Sequence, residues 1–205
     1  MLNKKIVLFI FLLLFFYSNS KGQQFVNDIE LPIRITRSFG VSGNTGWNSL
    51  TGFGVTIQNY FTPQIALDAG VGLSTLGVKL GGRVRYLFLT KNFSPFVSVG
   101  YIYGMGSRSN ELELEDTDGS IIRFVIEPSN FIQLSGGIEY ISNGGFFIMT
   151  GIGYALLLND NILLTSGNSP SEEMRSLLKM LYGSGVAVEV SVGYIFGRKK
   201  GYNKF

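Results

Sequence analysis

The sequence predicts an all-β chain: an eight-stranded antiparallel up-and-down transmembrane β-barrel with long extracellular loops and short periplasmic turns. Three observations predict it. Alternation of large apolar with small or polar residues at period 2 recurs eight times along the 205 residues, as strands with one apolar face require. Only 15% of residues are charged while 45% are hydrophobic and 27 are glycine, where ordinary soluble domains carry about 25% charged residues and about 7% glycine. The segments between the alternating runs are short on one side and mostly long on the other.

Residues 1–22 read as a cleaved secretory signal peptide. Lys4 and Lys5 precede an apolar run of 12 residues from Ile6 to Tyr17, and small polar residues follow, so that cleavage after Ser20 or Gly22 fits. The run is short for a membrane helix, which needs about 20 residues. The precursor carries a net charge of +3, but removing Lys4, Lys5 and Lys21 leaves 14 basic against 14 acidic residues. The basic excess belongs to the export signal, and nucleic-acid binding is not expected.

Residues 23–196 form the expected barrel domain. The strands are expected at 29–40, 51–61, 64–75, 78–90, 95–105, 131–142, 146–158 and 185–196. Each is near the roughly 9–11 residues a tilted strand needs to cross a bilayer. The first sets Ile29, Leu31, Ile33, Ile35 and Phe39 against Glu30, Arg34, Thr36 and Ser38. The last sets Val186, Val188, Val190, Val192, Tyr194 and Phe196 against Glu189, Ser191 and Gly193. A soluble barrel of the lipocalin sort would need a well-charged exterior. Here the polar faces are mostly Gly, Ser, Thr and Gln, which suit the narrow lumen of eight strands. The large face is then left for lipid.

The connections after the second, fourth and sixth strands are short (Thr62-Pro63, 91–94 and 142–145), whereas those near 41–50, 107–128 and 159–184 are long. Both termini therefore fall on the short-turn side, with 197–205 as a basic periplasmic tail. Phe61, Phe88, Phe146 and Phe196 gather outward at that rim, as an interfacial girdle should.

Over about residues 25–196 the chain resembles the small eight-stranded outer-membrane barrels of Gram-negative bacteria, the OmpA/OmpX-like superfamily. Glu189 to Phe196 looks like the signal by which such barrels are recognised for insertion, with Gly193, Tyr194 and Phe196 as its closing residues. The resemblance implies a place in the bacterial outer membrane, with lipid, lipopolysaccharide and the barrel-assembly machinery as partners. Members of this group are variously anchors, adhesins, porin-like pores and lipid-modifying enzymes, so the likeness implies location and not activity.

Chemistry is narrowed by what is missing. The chain has no cysteine and no histidine. Disulfides, lipoprotein anchoring, cysteine- or histidine-ligated metal and Ser-His-Asp or Cys-His catalysis are excluded. No catalytic residues, metal or cofactor are expected, and the chain is expected not to be an enzyme. Inward charges are Arg34, Lys79, Arg83 and Arg85 against Asp68, Glu139 and Glu189. Strand adjacency lets Asp68 reach Arg83 or Arg85, and Glu189 reach Arg34. Such a cluster reads as a salt-bridged plug or, alternatively, as the lining of a narrow passive channel for ions or small solutes.

The loop after the fifth strand concentrates Glu111, Glu113, Glu115, Asp116 and Asp118. An EF-hand beginning at Asp116 would need Gly in sixth position, where Ile121 stands. The alternation instead predicts a solvated hairpin turning near Asp118-Gly119, presented outside to an unknown surface ligand. In the last long loop, Ser169-Pro170-Ser171-Glu172 offers a capping box, Gly183 a stop, and Met174, Leu177, Leu178 and Leu181 a helical stripe. Trp47, the sole tryptophan, is expected in the first long loop as an interface anchor or contact residue. Taken together, the expectation is a monomer with a structural or surface-interaction role. A channel is the first alternative and a lipid-modifying barrel enzyme the second.

Overall fold

A computed structural model of the chain describes residues 32–107, 111–116, 119–165 and 170–197. The signal segment 1–22, the residues Ile29 to Leu31, Asp118, Ser169 and the tail beyond Gly197 lie outside the described residues. The elements in order are a single helical turn α1 (Ile33–Thr36), β1 (Phe39–Trp47), β2 (Phe53–Tyr60), β3 (Ile65–Ser74), β4 (Gly77–Leu87), β5 (Phe93–Gly104), β6 (Leu112–Glu115), β7 (Ile121–Ile126), β8 (Ser129–Ile141), β9 (Phe146–Leu157), β10 (Ile162–Leu164), α2 (Glu172–Tyr182) and β11 (Gly185–Phe196).

Eight strands close into an antiparallel barrel in the order β1-β11-β9-β8-β5-β4-β3-β2. The seam pairs Phe39 with Phe196 and continues to Trp47 with Val188. Every strand of the wall is thereby hydrogen-bonded to a neighbour on each side, which is the β solution available to a chain in lipid. The remaining strands form a separate small sheet, β10-β7-β6.

Side chains alternate across the wall as the sequence requires. Val55, Val71, Leu134, Ile152 and Val188 point outward and are exposed, whereas Thr56, Asp68, Arg83, Gln133 and Glu189 point inward and are buried. Two rows of aromatics bound the outer apolar band. Phe39 and Trp47 on β1, Phe93 and Tyr101 on β5, and Phe146 and Tyr154 on β9 each stand eight residues apart on one face. Phe53 at the start of β2 and Phe61 just past its end repeat the interval. At the short-turn rim, Phe39 stacks on Phe196 at 6.3 Å between ring centroids, and Tyr194 meets Phe196 edge-on at 5.2 Å.

The first strand is displaced from its expected place. Residues 33–36 form a helical turn, and the strand runs 39–47 rather than 29–40. Pro32 leads into the turn with φ −49°, the Thr36 hydroxyl donates to the Ile33 carbonyl at 3.0 Å, and Arg37 N closes back on the same carbonyl. The strand that does form is rich in Gly, Ser, Asn and Thr. These small residues are needed where it docks against β11 and β2, since a Cβ on Gly40 would stand 2.4 Å from the Ile195 side chain.

Displacement of the strand removes the long loop expected at 41–50. Trp47 ends β1 on its exposed face, and the connection to β2 is the five residues 48–52. This loop folds into the mouth of the barrel: Ser49, Leu50 and Thr51 are fully buried.

The long connections after β5 and β9 build a cap over the same end. The acidic hairpin is present, with Leu112 opposite Phe124 and Glu115 opposite Ile121. The sequence did not foresee that β10 adds to its far edge, pairing Ile162 with Ile126. Beneath this sheet Leu50, Leu76, Ile102, Phe124, Phe131, Met174 and Leu178 form one apolar cluster. Helix α2 joins it with Met174 and Leu178 and leaves Leu177 and Met180 exposed. A second cluster fills the short-turn end, made by Leu87, Phe96, Ile141, Phe147, Met149 and Ile195 with Ile33 against it.

Candidate functional site

Between the two apolar clusters lies a charged layer. The inward positions of β3 and β4 supply Asp68, Arg83 and Arg85, those of β8 and β11 supply Glu139 and Glu189, and α1 supplies Arg34. All six are at most 4% exposed. In the β3–β4 ladder Asp68 stands directly opposite Arg83. The Asp68 Oδ2 accepts from Arg83 Nε and Arg85 Nε, both at 2.7 Å, and Oδ1 accepts from Arg85 Nη2 at 2.9 Å.

The network continues both ways from this centre. Arg83 donates two hydrogen bonds to Glu189, at 2.8 and 2.9 Å, in the bidentate arrangement that suits a guanidinium and a carboxylate. Arg85 Nη1 donates to Glu139, whose other oxygen accepts from Arg34 Nε at 2.9 Å. The order Arg34–Glu139–Arg85–Asp68–Arg83–Glu189 is thus a chain of six charges in strict alternation. Each charge of this chain faces the opposite sign, which is the condition under which charges are tolerated away from water.

The sequence expectation that Asp68 reaches Arg83 or Arg85 is met by both. Arg34 does not pair with Glu189, because it sits on α1 and not on a strand. It enters the barrel from the short-turn end, where Nη1 also donates to the Leu89 and Lys91 carbonyls at 3.3 and 2.6 Å. Glu189 is held by Arg83 and by Ser191 Oγ, which donates at 3.1 Å. Arg85 is enclosed by rings on the same side: its guanidinium lies 5.7 Å from the Tyr60 centroid, 5.6 Å from Phe96 and 6.0 Å from Phe147. These contacts are cation–π interactions in a desolvated setting.

The inward loop 48–52 closes the layer from above. Lys79 Nζ donates to the Ser49 carbonyl at 2.9 Å, and Gln133 Nε2 donates to the Asn48 carbonyl at 3.0 Å. Leu50 N reaches Glu189 at 3.4 Å, and Thr51 Oγ1 donates to Asn44 Oδ1 at 2.5 Å. Asn44 in turn donates to Thr56. Room for the loop comes from glycine. A Cβ on Gly81 would stand 2.6 Å from the Leu50 carbonyl oxygen, and one on Gly72 2.5 Å from that of Thr51. Sequence reasoning missed this loop; the signal for it was the run of inward-facing glycines at 70, 72 and 81, which empties one side of the lumen.

On the outer face of the cap, the predicted acidic residues divide. Glu111, Glu113 and Glu115 are exposed, and Glu113 pairs with Arg123 at 2.8 Å. Such an exposed pair contributes at most about 1 kcal/mol. Asp116 is instead buried. Its carboxylate accepts from Ser171 N at 2.8 Å and Ser171 Oγ at 2.5 Å. Ser171 caps α2, accepting from Met174 N at 3.1 Å. The hairpin is thereby tied to the start of the helix, where a carboxylate is favoured by the helix dipole. At the other end of α2, Tyr182 rests edge-on against Phe124 at 5.9 Å, and partial burial raises its phenol above the ordinary tyrosine value. Among the described residues no cluster of three acidic side chains suits a metal ion.

Of the closing residues of the last strand, Tyr194 and Phe196 point outward in the aromatic rim and Gly193 opposes Ser42 across the seam. A Cβ at Gly193 would lie 2.2 Å from the Val41 carbonyl oxygen.

No protein-family model matches the chain, and no curated protein matches it. Among solved structures it is similar to the crystal structure of CarO from Acinetobacter baumannii, at 11% sequence identity and a TM-score of 0.36, over 83% of this chain and 100% of that one.

Proposed function

We propose that the chain is an exported, monomeric outer-membrane β-barrel of the small eight-stranded kind. On this reading its lumen is plugged, its role is structural or surface-interacting, and it catalyses no reaction. The observation that carries the reading is the inside-out distribution of side chains. A continuous band of exposed Val, Leu, Ile and aromatic residues surrounds a charged interior, which is far more apolar surface than a water-soluble monomer presents. Lipid covers that band, and the two aromatic rows lie at its two interfaces.

Inside, the six-charge chain and the inward loop occupy the space through which a solute would pass. The cap of β6, β7, β10 and α2 then offers Glu111, Glu113 and Glu115 to the exterior, where a surface ligand would meet them. Lipopolysaccharide and the barrel-assembly machinery are the partners this placement brings.

Single-channel recording of the refolded mature protein in a planar bilayer tests the reading. A silent barrel that still migrates anomalously on unheated gels is expected. Discrete, salt-dependent steps would replace the plug with a narrow passive channel, with Arg34, Arg83 and Arg85 as its selectivity element.

A further inference from the structure

The interior charges do not balance. Three arginines meet three carboxylates in the alternating chain, and Lys79 remains as a seventh charge. It is 2% exposed, its ammonium donates to a main-chain carbonyl, and among the described residues no carboxylate lies within ion-pairing distance of it. Glu189 attracts it from beyond that distance but is already bound by Arg83, so the buried ammonium has no direct counter-charge, which is unfavourable.

Lys79 also lines a cavity of about 220 Å³ at the long-loop end of the barrel. The cavity exists because loop 48–52 turns inward: above the Asn44–Gly54 pair, β1 and β2 no longer bond to each other. Its walls combine two chemistries. Trp47, Phe53 and Leu73 belong to the exposed outer face, at 44, 75 and 61% exposure. Thr45 and Thr75 add hydroxyls on the exposed side of the lining, and Ser74 adds one on the inward face of β3. The lining thus runs from the level of the outer aromatic row to a buried cation.

We infer that this notch between β1, β2 and the β3–β4 turn is a binding site for an acidic amphiphile, with its anionic head on Lys79 and its apolar body against Trp47, Phe53 and Leu73. Charge complementarity selects the head, since among the described residues the interior cation with no carboxylate at pairing distance lines this cavity. The position of the opening selects the body, because an occupant entering here comes from the lipid side. The inference rests on the membrane placement proposed above.

Trp47 is the sole tryptophan, so the tryptophan fluorescence comes from the rim of this site, and the saturable part of its quenching separates binding from partition into the bilayer. The refolded chain in phosphatidylcholine vesicles is titrated with a fatty acid brominated near its carboxylate, and in parallel with the matching brominated alcohol. Saturable quenching by the acid and only linear, partition-driven quenching by the alcohol are expected. Lys79→Gln should weaken the saturable phase at least tenfold, while Lys91→Gln in a short turn should leave it unchanged. Thr75→Phe, which fills the cavity from its exposed rim and leaves Lys79 in place, should abolish it, and serves if Lys79→Gln does not refold. Equal quenching by acid and alcohol, or an unchanged phase in both cavity variants, overturns the inference. Competition by inorganic phosphate at the same concentration also overturns it, in favour of a soluble anion. Gel migration of each sample reports insertion independently, so an inserted protein that fails to bind counts against the site and not against the membrane placement.

Discussion

Arg83 and Glu189 stand on β4 and β11, four strands apart in a closed ring of eight, and their side chains meet by two hydrogen bonds across the full width of the lumen. The contact ties opposite walls together. Removing one partner leaves the other buried and only partly compensated, whereas removing both does not.

Glu189→Gln should therefore destabilise the barrel by about 3 kcal/mol. The double substitution Arg83→Met with Glu189→Leu should recover part of that loss, because Asp68 keeps its hydrogen bonds from Arg85. Equilibrium unfolding in urea from lipid vesicles measures both. A double variant less stable than the single one would show the tie to be worth more than its desolvation.

The inward loop gives a second prediction, from two adjacent glycines. At Gly81 a methyl group would collide with the Leu50 carbonyl at 2.6 Å, whereas at Gly82 the nearest neighbour is the Asp68 carbonyl at 3.8 Å. Gly81→Ala should cost about 1–3 kcal/mol through overpacking, and Gly82→Ala should stay within about 0.5 kcal/mol. Unfolding midpoints of the two variants compare them directly.

Asp116 clasps α2 to the hairpin through Ser171. Asp116→Ala should leave insertion and gel migration intact while loosening α2, at a cost of about 1 kcal/mol. Limited proteolysis of the exposed cap should then cut within 172–182 faster than in the parent. Unchanged cleavage would mean that Met174 and Leu178 hold the helix without the clasp.

The aromatic rows predict a preferred bilayer. Eight residues span about 26 Å along a strand, or about 20 Å along the membrane normal at a tilt of about 40°. Refolding yield should fall as phosphatidylcholine chains lengthen toward a hydrocarbon core of about 30 Å or more. A yield independent of chain length would separate the aromatic rows from the membrane interfaces.

Seven of the eight wall strands were legible because their outward residues are large and apolar while most of their inward ones are small or polar. The first was not. Gly40, Gly43 and Gly46 carry no alternating signal, while Ile29, Leu31, Ile33 and Ile35 imitate one just upstream. The inward charges were legible as a set, and the Asp68–arginine pairs followed from neighbouring strands. Partners that meet across the lumen, such as Arg83 with Glu189, depend on the height at which each strand places its residue, and alternation alone carries no height. Loop 48–52 was hidden for a related reason: Asn48 and Ser49 fell in the expected long loop 41–50 and Gly52 in the expected second strand, and only the glycines on the inner faces of β3 and β4 reveal which way it folds. The clasp on α2 was half visible, as a helix start and an acidic hairpin whose meeting no local pattern announces.

Segment 33–52 contributes a plug residue from one end, a stave of the wall, and a loop that enters from the other end. β1 is also one side of the seam with β11. An assembly intermediate in which this segment has not docked is an open sheet whose Glu139 and Glu189 lack contacts from Arg34 and the Leu50 amide. The stretch of chain that completes the wall thus also carries a stopper for each of its ends, Arg34 at one and loop 48–52 at the other.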